Sequence, residues 1–464
     1  MNLHQPLQQP LFIPPRPPIP DGDPSWYQFL KAVRTNALQI WPQAAYRDDI
    51  LAQSFFGRRR LLLNTPAAIH RVLVENTSGY RRTPASIRIL RPVVGDGLFL
   101  SEGEGWRHQR RTIAPALAPR ITPVLAGHVV DATEPALARL AAERGPVDLL
   151  AAMQLLTLDI AARSMFSLEM LRYGAPLRRL LAEFATHLAR PHLLDMLLPA
   201  RIPTLRDVIR MRFRVRWVAL MDDIVSARFN TCASDTPRDL FDVLRAARDP
   251  QTGAAFSQAQ LRDQMATMIV AGHETTALTL FWSLYLLASA PAEQERVFQE
   301  VRTVAPTRDT AADALRKLPY TRAVISEALR LYPPAFVIAR VAIADDAIGN
   351  VHIRRGSLIM ISPWVLHRHI GLWSNADAFD PSRFLGDAQP AHRFAYLPFG
   401  AGPRVCVGAH FAITEAMLVL AMLIRRFEVS LADTRPVLPT AVITTQPDHP
   451  APFHLRARGP ASDL

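Results

Sequence analysis

The chain has 464 residues, 49% hydrophobic and 20% charged, a balance that excludes a largely disordered protein and allows a sizeable core. Its formal net charge of +12 comes from 53 basic against 41 acidic residues, nearly all of the basic ones arginine, which favours acidic partners. The arginines are scattered and no tract alternates basic with aromatic residues, so the pattern argues against a nucleic-acid partner.

The amino terminus, "MNLHQPLQQPLFIPPRPPIP", has no apolar run of signal-peptide or membrane-span length, and its proline spacing predicts an extended lead-in over residues 1–22. Without repeats or a long linker, residues 23–464 read as one domain. "FFGRRRLLL" near residue 55 predicts strand. Between residues 105 and 330, Ala, Leu, Arg and Glu dominate with apolar residues three and four apart, as in "RRLLAEFATHLARPHLLDML", which predicts helices. The two cysteines, Cys232 and Cys406, lie too far apart for a CxxC pair or a four-cysteine zinc site. With no disulfide framework, a soluble, reducing, cytoplasmic setting is expected.

From Ser257 to Ala290 one long helix is predicted, opened by a Ser257–Gln260 capping box and closed by Pro291. At about 1.5 Å per residue it spans roughly 50 Å. His273 and Glu274 in mid-run argue for a central buried helix rather than a membrane span. After Val337, "VIARVAIADDAIGNVHIRRGSLIMIS" is rich in β-branched residues and broken around Gly349 and Asn350, which predicts strands joined by a turn. The expected fold class is mainly α with a small β region.

"FGAGPRVCVG", Phe399 to Gly408, concentrates the chemistry. A cysteine among glycines reads as a structural thiol in a tight turn, as a metal-bound thiolate, or as part of a phosphate cradle. The cradle fails because Val405 stands where the last glycine of a dinucleotide fingerprint belongs. Gly400, Gly402 and Gly408 allow close backbone approach to a large flat object, and Arg404 adds a fixed positive charge, conditions suited to a metal-bound thiolate.

The string resembles the haem-binding signature of the cytochrome P-450 monooxygenases, Phe-Gly-x-Gly-x-Arg-x-Cys-x-Gly, at every specified position. The resemblance implies haem b with the thiolate of Cys406 as axial ligand, in the fold of that family, with haem between the long central helix and the cysteine loop. Other segments resemble further family motifs. Glu327 and Arg330 in "ISEALRLYPP", with Arg383 in "FDPSRF", match a buried structural charge network. In "AGHETTALTL", Ala271 and Gly272 match a dioxygen groove, and Glu274 with Thr275 match the acid and alcohol that deliver protons during dioxygen reduction. Trp106 and Arg110 match the Trp-x-x-x-Arg helix, and with Arg340 and Arg404 are expected near the haem propionates. His108 lacks a second histidine at zinc spacing and reads as a surface residue or propionate neighbour.

By resemblance, the protein inserts one oxygen atom of dioxygen into an apolar small molecule of terpenoid, fatty acyl or aromatic kind. No flavin or nicotinamide module is recognised, so two electrons are expected from a ferredoxin or flavodoxin with its reductase, docking on Arg107, Arg111, Arg120, Arg425 and Arg426. A peroxide-driven enzyme and a haem sensor or carrier without turnover are the rivals; the Glu274–Thr275 pair argues against both. By resemblance, the substrate pocket is lined by the loop "RTPASIRILRPVVGDGLFL" with its Leu98 and Phe99, by Ile269 and Val270, by Ala335, Phe336 and Val337 of "PPAFV", and by the late "TAVITT" segment. The segment 190–203 reads as a buried helix face or entrance lid, with a membrane-surface contact as the alternative.

Overall fold

The structure is a computed structural model that describes residues 11–55, 57–167, 170–199, 202–230, 237–386 and 392–459. Cys232 and the first ten residues of the lead-in lie outside the described residues, as do residues 200 and 201 of the segment 190–203. Residues 11–20 form neither helix nor strand and are fastened to the body where Phe379 N–H donates to the Phe12 carbonyl at 2.8 Å and Arg16 pairs with Asp377 at 2.9 Å.

The predicted central helix runs from Gln258 to Ser289, and its Ser257–Gln260 capping box is formed in both directions. Pro291 opens the next helix, Pro291–Val301, as suits a residue with no N–H to give at a first helical turn. Every residue from Thr276 to Leu287 is buried. Two hydroxyl groups in that stretch are satisfied within the helix, Thr279 donating to the Thr275 carbonyl at 2.9 Å and Ser283 to that of Thr279 at 2.7 Å. Such back-bonding lets polar side chains enter an apolar core without an unpaired group.

Around the central helix lie Thr122–Ala142, Leu149–Phe166, Pro319–Leu331 and Ala409–Arg426. Their apolar faces join its second half in the largest hydrophobic cluster, where Trp282 stacks on Tyr332 with ring centroids 3.9 Å apart. Leu149–Phe166 is the one described helix long and apolar enough on its own to cross a membrane, and 61% of its span is buried against protein.

The β content is small. A five-stranded sheet has the order Ile50–Phe55, Arg58–Leu63, Leu358–Ile361, Ile338–Ala342, Tyr80–Arg81. All its pairings are antiparallel except that of Arg58–Leu63 with Leu358–Ile361. Asp346–Ile348 and Val351–Ile353 form the predicted hairpin, turning at Gly349 with φ of 54°, a value that costs glycine little. A second hairpin pairs Pro439–Ala441 with Thr445–Pro447.

Candidate functional site

The cysteine loop lies between the end of the sheet region and the helix Ala409–Arg426. Cys406 N–H donates to the Phe399 carbonyl at 2.9 Å and Gly400 N–H to that of Leu397 at 3.2 Å. Gly400 and Gly402 have φ of 72° and 71°, and a Cβ on Gly402 would fall 1.8 Å from the Leu73 carbonyl oxygen. Glycine there is a steric requirement. A Cβ on Gly408 would meet no protein atom within 4 Å, so the space beside it is open.

Burial pushes the Cys406 thiol up, while the Gly408 N–H and the Arg110 guanidinium oppose that shift by favouring the thiolate. Yet the side chain remains exposed. Both facts hold together when a sulfur hemmed in by protein faces an interior opening. No group of three or more His, Cys, Asp or Glu is placed to hold a metal ion among the described residues. A lone thiolate donor therefore suits a metal that brings its other ligands in a macrocycle, as haem does.

Cations gather beside the loop. Arg110 donates to the Val405 carbonyl at 2.8 Å. Arg404 stacks over Trp106, 4.5 Å from the ring centroid, and donates to the Ser101 carbonyl at 3.1 Å. Burial and the neighbouring Arg404 charge together lower Arg340 to about 10. Burial together with Arg340 and Arg404 lowers Arg82 to about 9, and the Arg82 Nε has no hydrogen-bond partner. Glu102, 3.3 Å from Arg404, is the one carboxylate paired with this group among the described residues. Three guanidinium groups sharing one carboxylate in low dielectric call for further anions, and two propionates would supply them. Sequence reasoning placed Arg82 only at the head of the pocket loop and missed it as a member of this cluster. Its only signal is its place just after Tyr80–Arg81, the strand paired with Ile338–Ala342 that carries Arg340.

On the central helix, burial is interrupted from Val270 to Thr275. Ala271 is exposed at this point, and a Cβ on Gly272 would reach only Met165 Cε, at 4.0 Å. Thr275 donates to the Ala271 carbonyl at 2.6 Å. The Glu274 carboxylate is held outside the helix, accepting from Thr444 at 2.9 Å and Gln446 at 2.7 Å. Burial keeps His273 neutral by lowering its pKa, and its ring pairs with the Ile269 carbonyl at 2.8 Å.

Glu327 and Arg330 are fully buried and 2.6 Å apart, with Arg383 3.5 Å from Glu327. Arg330 also donates to the carbonyls of His367, Ala376 and Ala378 at 2.6–2.8 Å. The pair thus ties the helix Pro319–Leu331 to the chain approaching the cysteine loop. His367 extends the tie. Its Nε2 accepts from Leu397 N–H at 2.8 Å and its Nδ1 faces the Arg330 carbonyl at 3.1 Å. Burial, then the nearby Arg330 charge, lowers it to about 3, so the ring is neutral. Nothing local in the sequence marks this histidine.

Some expectations change. His108 is engaged in a local cluster: its Nδ1 lies 2.8 Å from the fully buried Asp249, which also binds Arg111 at 2.9 Å. Arg107 pairs with Glu104. Arg425 and Arg426 end the helix Ala409–Arg426, roughly 25 Å along its axis from the loop. These four arginines do not make a free basic patch around the cysteine. Of the expected pocket residues, Ile269 and Phe336 are packed into hydrophobic clusters. Leu98, Val270 and Val337 are half-buried, and Phe99 and Ala335 are exposed. The described part of 190–203 includes the short helix Leu193–Leu197, fixed by the buried Asp195–Arg210 pair at 2.7 Å and by Arg88, which donates to the carbonyls of Leu194, Pro199 and Ile202.

Comparison with known proteins agrees with this geometry. The cytochrome P-450 family description matches residues 28–450. The chain is 31% identical over 441 residues to Protein LUTEIN DEFICIENT 5, chloroplastic, of Arabidopsis thaliana, covering 90% of this chain and 73% of that one. It is 33% identical over 340 residues to cyclooctat-9-en-7-ol 5-monooxygenase of Streptomyces melanosporofaciens, covering 73% of each. The crystal structure of the haem domain of cytochrome P450DA superposes with a TM-score of 0.81 at 24% identity, over 97% of this chain and 99% of that one, a likeness of fold. The mainly helical architecture with small sheets is thus that of the cytochromes P-450. The chain belongs to this haem-thiolate family and is a monooxygenase.

Proposed function

We propose that Cys406 holds haem b through its thiolate and that the protein hydroxylates an apolar small molecule. The observation that carries this reading is the accessible Cys406 beside the half-buried, anion-poor cluster of Arg82, Arg340 and Arg404. When bound, haem supplies dioxygen activation with two electrons, placing one oxygen atom in substrate and releasing the other as water.

The residues of this chain bind, orient and move protons. Phe399, Gly400 and Gly408 shape the loop so that the sulfur is presented, and the amide at Gly408 with Arg110 stabilises its negative charge. Arg82, Arg340, Arg404 and Trp106 hold the propionate edge. Ala271 and Gly272 leave room beside the central helix, while Thr275 and Glu274 hand protons from solvent toward that space. Glu327, Arg330 and Arg383 keep the loop in register from behind. Leu98, Phe99, Val270, Ala335 and Val337 offer apolar contact to a terpenoid, fatty acyl or aromatic substrate; Ile269 and Phe336 support them from the packed side.

Electrons come from a ferredoxin or flavodoxin with its reductase, acidic proteins suited to a chain of net charge +12. The chain acts as one domain, a reading favoured by a family match over most of its length; a cytoplasmic setting is proposed with it. The test is spectroscopic. Reduced, haem-loaded protein with carbon monoxide should show the absorption band characteristic of the family, and Cys406→Ser should abolish it. A band that survives the substitution would show that another residue ligates the iron.

A further inference from the structure

Glu274 rides on the central helix, but the hairpin Pro439–Ala441/Thr445–Pro447 and its turn decide where its carboxylate points. Thr444 Oγ1 and Gln446 Nε2 both donate to one oxygen, Oε1. Oε2 has no hydrogen-bond partner among the described residues and is not closed off from accessible space. The carboxylate is therefore anchored by one oxygen and free at the other.

The anchor is itself rigid. Between the two donors, Thr445 is fully buried and locked on three sides. Its hydroxyl donates to the Pro333 carbonyl at 2.7 Å, its N–H to that of Pro334 at 3.1 Å, and its carbonyl accepts from Trp282 Nε1 at 2.9 Å. Asn36 clamps the first strand, donating to the Pro439 carbonyl at 3.0 Å and accepting from Ala441 N–H at 3.1 Å. A hydroxyl and an amide so held form charge-assisted bonds that fix one carboxylate orientation without adding a cation that would compete for the proton.

We infer that Thr444 and Gln446 are positioning residues for proton delivery, holding Glu274 so that Oε2 is the oxygen that gives and takes protons. The inference rests on the reading of Glu274 and Thr275 as the proton-delivering pair. In each delivery Glu274 takes one proton from solvent water and gives one to a water beside Thr275, so the carboxylate ends unchanged. The electrons are those of the donor protein.

The test uses haem-loaded full-length protein and reduced ferredoxin with no substrate added, so that dioxygen leaves only as hydrogen peroxide or water. Impaired proton delivery raises the peroxide share. Gln446→Leu and Thr444→Val should each raise it about twofold, toward the Glu274→Gln value, while Thr444→Ser, which keeps the hydroxyl donor and adds no charge, keeps the parent share. Hydrogen–deuterium exchange over residues 440–446, which does not depend on turnover, should rise in Thr444→Val and stay at the parent level in Thr444→Ser. If Glu274→Gln shifts the share but the hairpin variants do not, or if Thr444→Ser fails alongside the others, the assignment to the hairpin is overturned. If Glu274→Gln itself changes nothing, the acid and alcohol reading falls, and the inference with it.

Discussion

Arg82 concentrates the residue-scale argument. A guanidinium driven down to about 9 by burial and by two neighbouring arginines is an unfavourable charge in the bare protein and a favourable one once an anion arrives. Arg82→Met should therefore act oppositely on two measurements. The cofactor-free protein should gain on the order of 1 kcal/mol in urea unfolding, because a buried charge without a sufficient partner is removed. The loaded protein should release haem faster to an acceptor such as apomyoglobin. Loss of stability in the cofactor-free form would mean that the cluster is already balanced by the protein. "RRTPAS" gave no hint of this role, since the charge becomes costly only when the strand pairing brings Arg82 toward Arg340.

At the scale of elements, the structure joins helix to loop through groups that cannot ionise freely. His367 connects the Arg330 carbonyl to Leu397, just ahead of the cysteine loop. Burial lowers its pKa from the ordinary 6.5 to about 3, so in acid the unfolded chain takes up a proton that the folded ring refuses. Its contribution is complete above pH 6.5 and is lost as pH falls from 6.5 toward 3, at about 1.4 kcal/mol per unit. In His367→Gln, the stability lost between pH 7 and pH 5 should be smaller by about 2 kcal/mol, read from urea unfolding at the two values. An unchanged difference would place the acid sensitivity elsewhere. The Glu327–Arg330 spacing was readable as one helical face. That its guanidinium also collects three carbonyls from the chain around residues 367–378 was not, because those partners lie 37 to 48 positions away.

For the whole molecule, cofactor and fold are thermodynamically linked, since a ligand bound only by the native state raises its stability by mass action. At free haem 100 times its Kd the gain is about 2.7 kcal/mol, which for a chain of this length is a rise of about 3 °C in Tm. Calorimetry with and without haem should show it, and Cys406→Ser should shrink it; equal melting temperatures would indicate that haem is not held by the folded state. Sequence by itself determined what depends on short spacing: the glycine-rich cysteine loop, the capped central helix, the i,i+3 charge pair and the Ala271–Thr275 turn. In each, residues that act together are neighbours on one helix face or one turn, so local stereochemistry suffices. Only the tertiary structure decided that His108 and Arg111 serve Asp249 across 138 to 141 positions, or that Glu274 answers to Thr444 and Gln446 across 170 and 172. Desolvation, charge crowding and the aim of a carboxylate arise when distant segments meet, and no local pattern encodes which segments those are.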